Sequence, residues 1–151
     1  MPDSSRAGNL ALNKPATGSA PCNANEGPEK AFNGSTSGGN GDKWCSHASP
    51  AFVQVDLGES LSVGQFIVRH AGAGGDLTAL DTRDFNIQIS TNGADFATVV
   101  NVTGNTQSVT MHTLPATTAR FVRLNITTPA QDGDNADNSS RIYELEVYPP
   151  L

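Results

Sequence analysis

Apolar and polar residues alternate in short bursts along this chain. In "FVQVDL" (residues 52–57), Val53, Val55 and Leu57 fall on one face and Gln54 and Asp56 on the other. "GQFIVRH" (64–70) is rich in β-formers and ends in charge. "DFNIQIS" (84–90) lines up Phe85, Ile87 and Ile89, and runs into "TNGADF", whose Asn92-Gly93 pair signals a hairpin turn. "ATVVNV" (97–102) is then the return strand. "QSVTMHTL" (107–114) alternates again. "ARFVRLNIT" (119–127) sends Val122, Leu124 and Ile126 inward and Arg123 and Asn125 outward, and "RIYELEVY" (141–148) forms the last strand. No window sustains a helical period. Short strands separated by turn signals predict an all-β fold, an antiparallel β-sandwich or barrel, without internal repeats.

The segments between the strands differ in kind. Residues 18–28, 33–43, 71–81 and 129–140 are long and rich in Gly, Asn, Asp or Ser. Connections of about 12 residues or more are uncommon unless they do something or are disordered. In a β-sandwich, function sits on such loops. The chain's 151 residues suit one domain with a real core. Its net charge of -6 argues against nucleic acid, which calls for clustered Lys and Arg. No apolar run approaches the roughly 18 residues that span a bilayer, and "MPDSSRAGN" has no apolar stretch of the signal-peptide type. Residues 1–8 read as a polar linker and residues 9–149 as the domain, as expected of a module within a longer secreted chain.

Candidate chemistry is sparse. Cys22 and Cys45 are either free and buried or paired. Their even number, in a chain rich in Ser, Thr and Asn and poor in charge, favours pairing in an oxidising compartment. Closing the loop between them would stabilise by roughly 3 kcal/mol in the chain-entropy model. With no CxxC and no HxxxH, zinc-ligand spacing is missing. "QDGDNADN" resembles a calcium loop through Asp132, Asp134 and Asp137. The EF-hand pattern fails, however, because Ala136 and Tyr143 stand at its fifth and twelfth positions. Glycosylation triplets at Asn33, Asn101, Asn125 and Asn138 are what this composition yields by chance. His112, on a strand, reads as structural. Glu26, Asp76 and Asp132 offer carboxylates, but nothing pairs them across a cleft as glycoside hydrolysis requires. HExxH, GxSxG and phosphate-binding Gly-rich motifs are absent.

One ordered series of segments says more. "NLALNKPATGSA", "EKAFNGS", "DKWCS", "FVQVDLG", "STNGADF", "ARFVRLNI" and "RIYELEVY" follow one another across residues 9–149. Together they resemble the discoidin, or coagulation factor 5/8 type C, superfamily. They are most similar to the family 32 carbohydrate-binding modules appended to bacterial glycan-degrading enzymes. The resemblance implies a galactose-binding-domain-like jelly-roll sandwich of about eight strands. It implies no catalysis of its own, and weak binding of a glycan, galactose-type or another terminal sugar, at loops on one end. The expected context is a monomeric module of a larger bacterial secreted enzyme, a glycoside hydrolase or polysaccharide lyase that the module targets. The superfamily also contains adhesion modules that bind phospholipid or protein. Membrane binding uses apolar spikes amid basic residues, whereas these loops carry Ala, Gly, Asn and Asp on an acidic chain.

The resemblance also implies a structural Ca²⁺. Its ligands would be the carbonyls of Lys30, Ser35 and Tyr143, the side chains of Asn33 and Asp42, and the carboxylate of Glu144. An all-oxygen set of that kind suits a hard cation. The family usually has Asp where Asn33 stands, and Asp42 replaces a common Thr. For the sugar, similar modules imply contacts from loops 18–28, 44–49, 71–81 and 129–140. Galactose-binding relatives often place His directly after the tryptophan. Here Cys45 holds that place and His47 comes two later. Such relatives carry an Arg and an Asn after the "FIV" strand. This chain offers His70 and Asp76 instead, with Arg83 at the loop's far end. The expected polar contacts are Glu26, His47, His70, Asp76, Arg83 and Gln131. His70 leads them because it closes a β-rich run where the longest Gly-rich loop begins. Trp44 either caps the core, which similar modules favour, or supplies the stacking ring.

Overall fold

The predicted strands at 52–57 and 64–70 are the two halves of one 20-residue strand, and those at 107–114 and 119–127 are the halves of another. The computed structural model describes residues 8–131 and 139–151. Its strands are β1 (Ala16–Gly18), β2 (Trp44–Ser46), β3 (Ala51–His70), β4 (Asp84–Ser90), β5 (Ala97–Val102), β6 (Val109–Thr128) and β7 (Ser140–Tyr148), all paired antiparallel. Among the described residues there is no α-helix. Four short 3-10 turns lie at Pro28–Phe32, Gly39–Asp42, Ala71–Gly74 and Thr78–Leu80.

β3 and β6 pair along their length, with register shifts between Asp56 and Leu61 and between Val63 and Gln65. Such irregularities bend a ladder and increase its twist. The bend passes through Gly58, Glu59 and Ser60, which are exposed, and Gly58 sits at φ +94 where a side chain would be strained. Beyond the bend each long strand takes new partners. The first half of β3 lies between β1 and the second half of β6, which continues to β4 and β5. The second half of β3 lies between the first half of β6 and β7, which carries β2. The result is the expected antiparallel sandwich. Val53, Val55, Leu57, Phe85, Ile87, Val122 and Leu124 from one layer meet Phe66, Val68, Ile142, Leu145 and Val147 from the other in one core. Apolar burial of this kind, about 25 cal/mol for each Å² removed from water, is the main force holding the layers together. The chain start is clipped to the last strand: Leu10 N donates to Val147 O at 2.7 Å, and Val147 N to Asn9 Oδ1 at 2.9 Å.

The core contains imidazole. His70 is 0% exposed and His112 half-buried, and their rings flank Phe85 at 5.1 and 5.7 Å. His70 Nε2 bonds Thr110 Oγ1 at 3.0 Å. Burial, with the nearby His112 adding to it, holds the His70 pKa down at about 3. A base whose folded pKa lies below its unfolded value of about 6.5 lets the unfolded chain take up the extra proton. Stability is therefore complete above pH ~6.5 and declines as pH falls toward 3, by about 1.4 kcal/mol per pH unit for such a histidine. Denaturation midpoints measured between pH 7 and 4.5 should show this slope, and His70→Leu should flatten it. An unchanged slope in that variant would disprove the assignment.

Candidate functional site

Alternation along two paired strands builds one end of the molecule. Trp44 in β2 points into the core and is 0% exposed. In an extended segment its neighbours Lys43 and Cys45, and then His47, lie on the opposite side. β7 runs alongside with Cys45 opposite Arg141, so Ser139, Arg141 and Tyr143 share that outer side. Lys43, Cys45, His47, Ser139 and Arg141 line a cleft of about 340 Å³ together with Cys22, Glu26, Asn40, Asp76 and Leu80. Each of the four long loops thus contributes at least one wall residue.

The cleft is tightly wired. Lys43 Nζ lies 2.5 Å from Glu26 Oε2, and the two side chains are only 4% and 7% exposed. Asn23 Nδ2 donates to Glu26 Oε1 at 2.5 Å, and Lys43 Nζ donates to Asn40 Oδ1 at 2.6 Å. His47 Nδ1 and Ser139 Oγ are 2.7 Å apart. Tyr143 Oη donates to Asp76 Oδ2 at 3.1 Å, and burial together with the Asp76 charge pushes the phenol well above its ordinary range. The Tyr143 ring rests on Gly74, where any Cβ would collide with it. Cys22 and Cys45 form a disulfide with their Cα atoms 5.3 Å apart. A Glu26 carboxylate oxygen lies within 4.8 Å of both sulfurs. Because those sulfurs are bonded to each other they offer no thiolate, so the trio is not a metal centre.

A second cluster sits beside the cleft. Glu144 is buried in β7, and its Oε2 accepts Gly34 N at 2.8 Å. Its Oε1 has no hydrogen-bond partner among the described residues. Burial pushes its pKa up to about 8, against the Gly34 hydrogen bond and with the Glu146 and Asp42 charges adding to the rise. Asp42 receives Ser35 Oγ at 2.5 Å, Gly38 N at 2.6 Å and Asn33 Nδ2 at 3.0 Å. These bonds, that of Ser35 foremost, hold its carboxyl below the usual range despite some burial. Lys30 lies in the 3-10 turn that leads into Asn33. Tyr143 is the extra residue of a β-bulge, since Arg69 pairs with Glu144 while His70 pairs with Ile142. The bulge also explains why Ile142 and Leu145, an odd number of residues apart, both face the core.

Residues 15–145 match the F5/8 type C domain family. The chain belongs to that family. The family 32 carbohydrate-binding module of Streptococcus pneumoniae EndoD is similar in structure, with a TM-score of 0.82 and 27% identity over 93% of this chain and 99% of that one. Chitosan-binding module 1 of a chitosanase/glucanase from Paenibacillus sp. IK-5 gives 0.76 and 28% over 94% and 99%. Chitosan-binding module 2 of the same enzyme, solved with chitotriose, gives 0.74 and 26% over 93% and 99%. No curated protein matches the chain.

Within this F5/8 type C domain the expected sugar contacts separate. Glu26, His47 and Asp76 come together in the cleft. Trp44 does not join them. It caps the core, so it offers no stacking ring. His70 is a correction: it shares the inward face of Phe66 and Val68, and with no exposed surface it cannot reach a ligand. Arg83 and Gln131 are not among the cleft residues. Arg83 Nη1 donates to Gln131 O at 3.4 Å, and Gln131 Nε2 donates to Asp81 O at 2.8 Å. Asp132, Asp134, Asp137 and Asn138 lie outside the described residues. Sequence reasoning missed Asn40, Lys43, Leu80, Ser139 and Arg141. For Lys43 a signal was present: once Trp44 is placed in the core, alternation turns Lys43 outward.

Proposed function

We propose that this domain is a non-catalytic carbohydrate-binding module. It holds a glycan in the cleft between β2, β7 and the long loops, outside the cell, and brings an attached glycan-degrading enzyme to its substrate. The cleft carries the reading. Carboxylate, ammonium, guanidinium, imidazole and hydroxyl groups converge there, and a sugar ring presents matching donors and acceptors. The cleft's acids and bases are balanced, Glu26 and Asp76 against Lys43 and Arg141, which suits a neutral ligand. The family and the similar structures, each named for a carbohydrate-binding or chitosan-binding module, support the same class. The disulfide supports an oxidising location.

Hydrogen bonds to charged groups contribute about 1.5–3 kcal/mol each. Two or three of them, less the entropy of association, place Kd between micromolar and millimolar. Calorimetry with chitotriose and galactose, alongside an array of terminal sugars, tests this directly. His47→Ala and Asp76→Asn should each weaken the bound sugar about tenfold or more with the melting temperature nearly unchanged. A protein that binds no member of the array in the presence of calcium is not a carbohydrate-binding module.

We propose further that Glu144, Asp42, Asn33 and the backbone oxygens of Lys30, Ser35 and Tyr143 hold a structural Ca²⁺. The supporting observation is the buried Glu144 carboxyl, whose Oε2 holds Gly34 in the segment organised around Asp42 and whose Oε1 has no partner among the described residues. Buried carboxylates without a partner are costly, and hard oxygen sets of this type suit calcium. The ion would tie residues 30–42 to β7.

A further inference from the structure

Among the described residues the cleft is lined by no Phe, Tyr or Trp, and its one ring is the His47 imidazole, which is bonded to Ser139. Its apolar lining consists of Leu80 and the Cys22–Cys45 bridge, while Trp44 faces the core. Resting on the glycan reading of this cleft, we propose that the disulfide, together with Leu80, is the apolar surface against which the sugar's C–H face lies. A pyranose has one face of C–H bonds, and a site that only hydrogen-bonds its hydroxyls leaves that face against water. Sulfur is large and polarisable, so the bridge makes dispersion contacts with C–H groups. The placement is also favourable. A Glu26 carboxylate oxygen lies within 4.8 Å of both sulfurs, so a hydroxyl held by Glu26 brings the adjoining C–H bonds against the bridge. Leu80 closes a 3-10 turn, held by a bond from its own N–H to Leu77 O at 3.0 Å, and reaches the same cleft from loop 71–81.

The bridge is therefore a binding element as well as a staple, and the affinity depends on its oxidation state. Loop 18–28 keeps other ties to β2. Cys22 N donates to Cys45 O at 2.8 Å, Cys45 N donates to Glu26 O at 3.1 Å, and Pro21 pairs with Ser46. Loss of the bridge thus removes the platform without removing the strand that carries it.

The test is calorimetry on the intact chain with chitotriose, galactose and the array sugars, using Cys22→Ser/Cys45→Ser, Leu80→Ser and Leu80→Trp. The first two variants should weaken the sugar bound by the wild type about tenfold. Leu80→Trp, which adds an indole ring, should tighten it several-fold, a gain that misfolding cannot produce. In the unaltered protein the sugar should shift the Cβ resonances of Cys22 and Cys45. A wild-type Kd in the double serine variant, or unmoved cysteine resonances at saturation, overturns the platform while leaving the cleft reading intact. Absence of any sugar binding by the wild type overturns the cleft reading and the platform with it.

Discussion

Removing divalent cations should lower the melting temperature by about 5–10 °C, and adding calcium back should restore it. A cation that binds only the folded state stabilises by about 2.7 kcal/mol at a hundredfold excess over its Kd. For a chain of this size each kcal/mol moves the transition by about 2–4 °C. The effect belongs to Glu144. That side chain is buried with one oxygen held by Gly34 N and the other unpartnered among the described residues. Its charge is then close to Asp42, which Ser35, Gly38 and Asn33 surround with donors. Glu144→Gln should abolish the calcium response. In chelator the variant should melt no lower than the wild type, because the amide replaces a carboxyl that, without a cation, must take up a proton to be buried. Scanning calorimetry across a calcium titration of metal-stripped protein decides the matter. A calcium response that persists in Glu144→Gln places the ion elsewhere, and a flat titration of the wild type removes it.

The strands were legible because alternation is a local property. Val53, Val55 and Leu57 announce a face without knowledge of the partner strand. The continuity of β3 and β6 was hidden because Gly58, Glu59 and Ser60, and Pro115 and Ala116, are exposed. An exposed polar bend in a ladder and a loop have the same composition. β1 and β2 span only three residues each, too few to show a period. For His70 the strand period and the strand end point to different roles: standing two positions beyond Val68 and four beyond Phe66 it has the parity of the inward face, and that face is where it lies. The cleft drew on long-range pairings that no window contains, such as Cys45 with Arg141 and Tyr143 Oη with Asp76. The Glu144 cluster joins residues 110 apart and entered only through the family resemblance. The Cys22–Cys45 bridge was anticipated from cysteine number and compartment, but its place in the cleft wall was not.

The buried ion pair at the cleft floor should yield the largest single-residue effects. Lys43 and Glu26 are almost wholly enclosed, and each has one further polar partner, Asn40 and Asn23. Taking such charges out of water costs several kcal/mol per ion, offset only by their mutual attraction and their hydrogen bonds. Removing one partner strands the other, so Lys43→Met and Glu26→Gln should each destabilise by about 3–5 kcal/mol. The pair as a whole is not a large source of stability, because a neutral, well-packed replacement of both ions is often tolerated. Lys43→Met/Glu26→Gln should therefore recover most of the loss, giving a strong coupling in a double-mutant cycle. Glycan binding should not follow the same course. If the pair orients a carboxylate for the sugar, the double variant folds and melts near the wild type yet binds the array sugars at least tenfold more weakly. Urea denaturation supplies the cycle and calorimetry the affinities. Additive destabilisation would show that the two charges do not depend on each other. Full affinity in a stable double variant would show that the pair serves the fold alone.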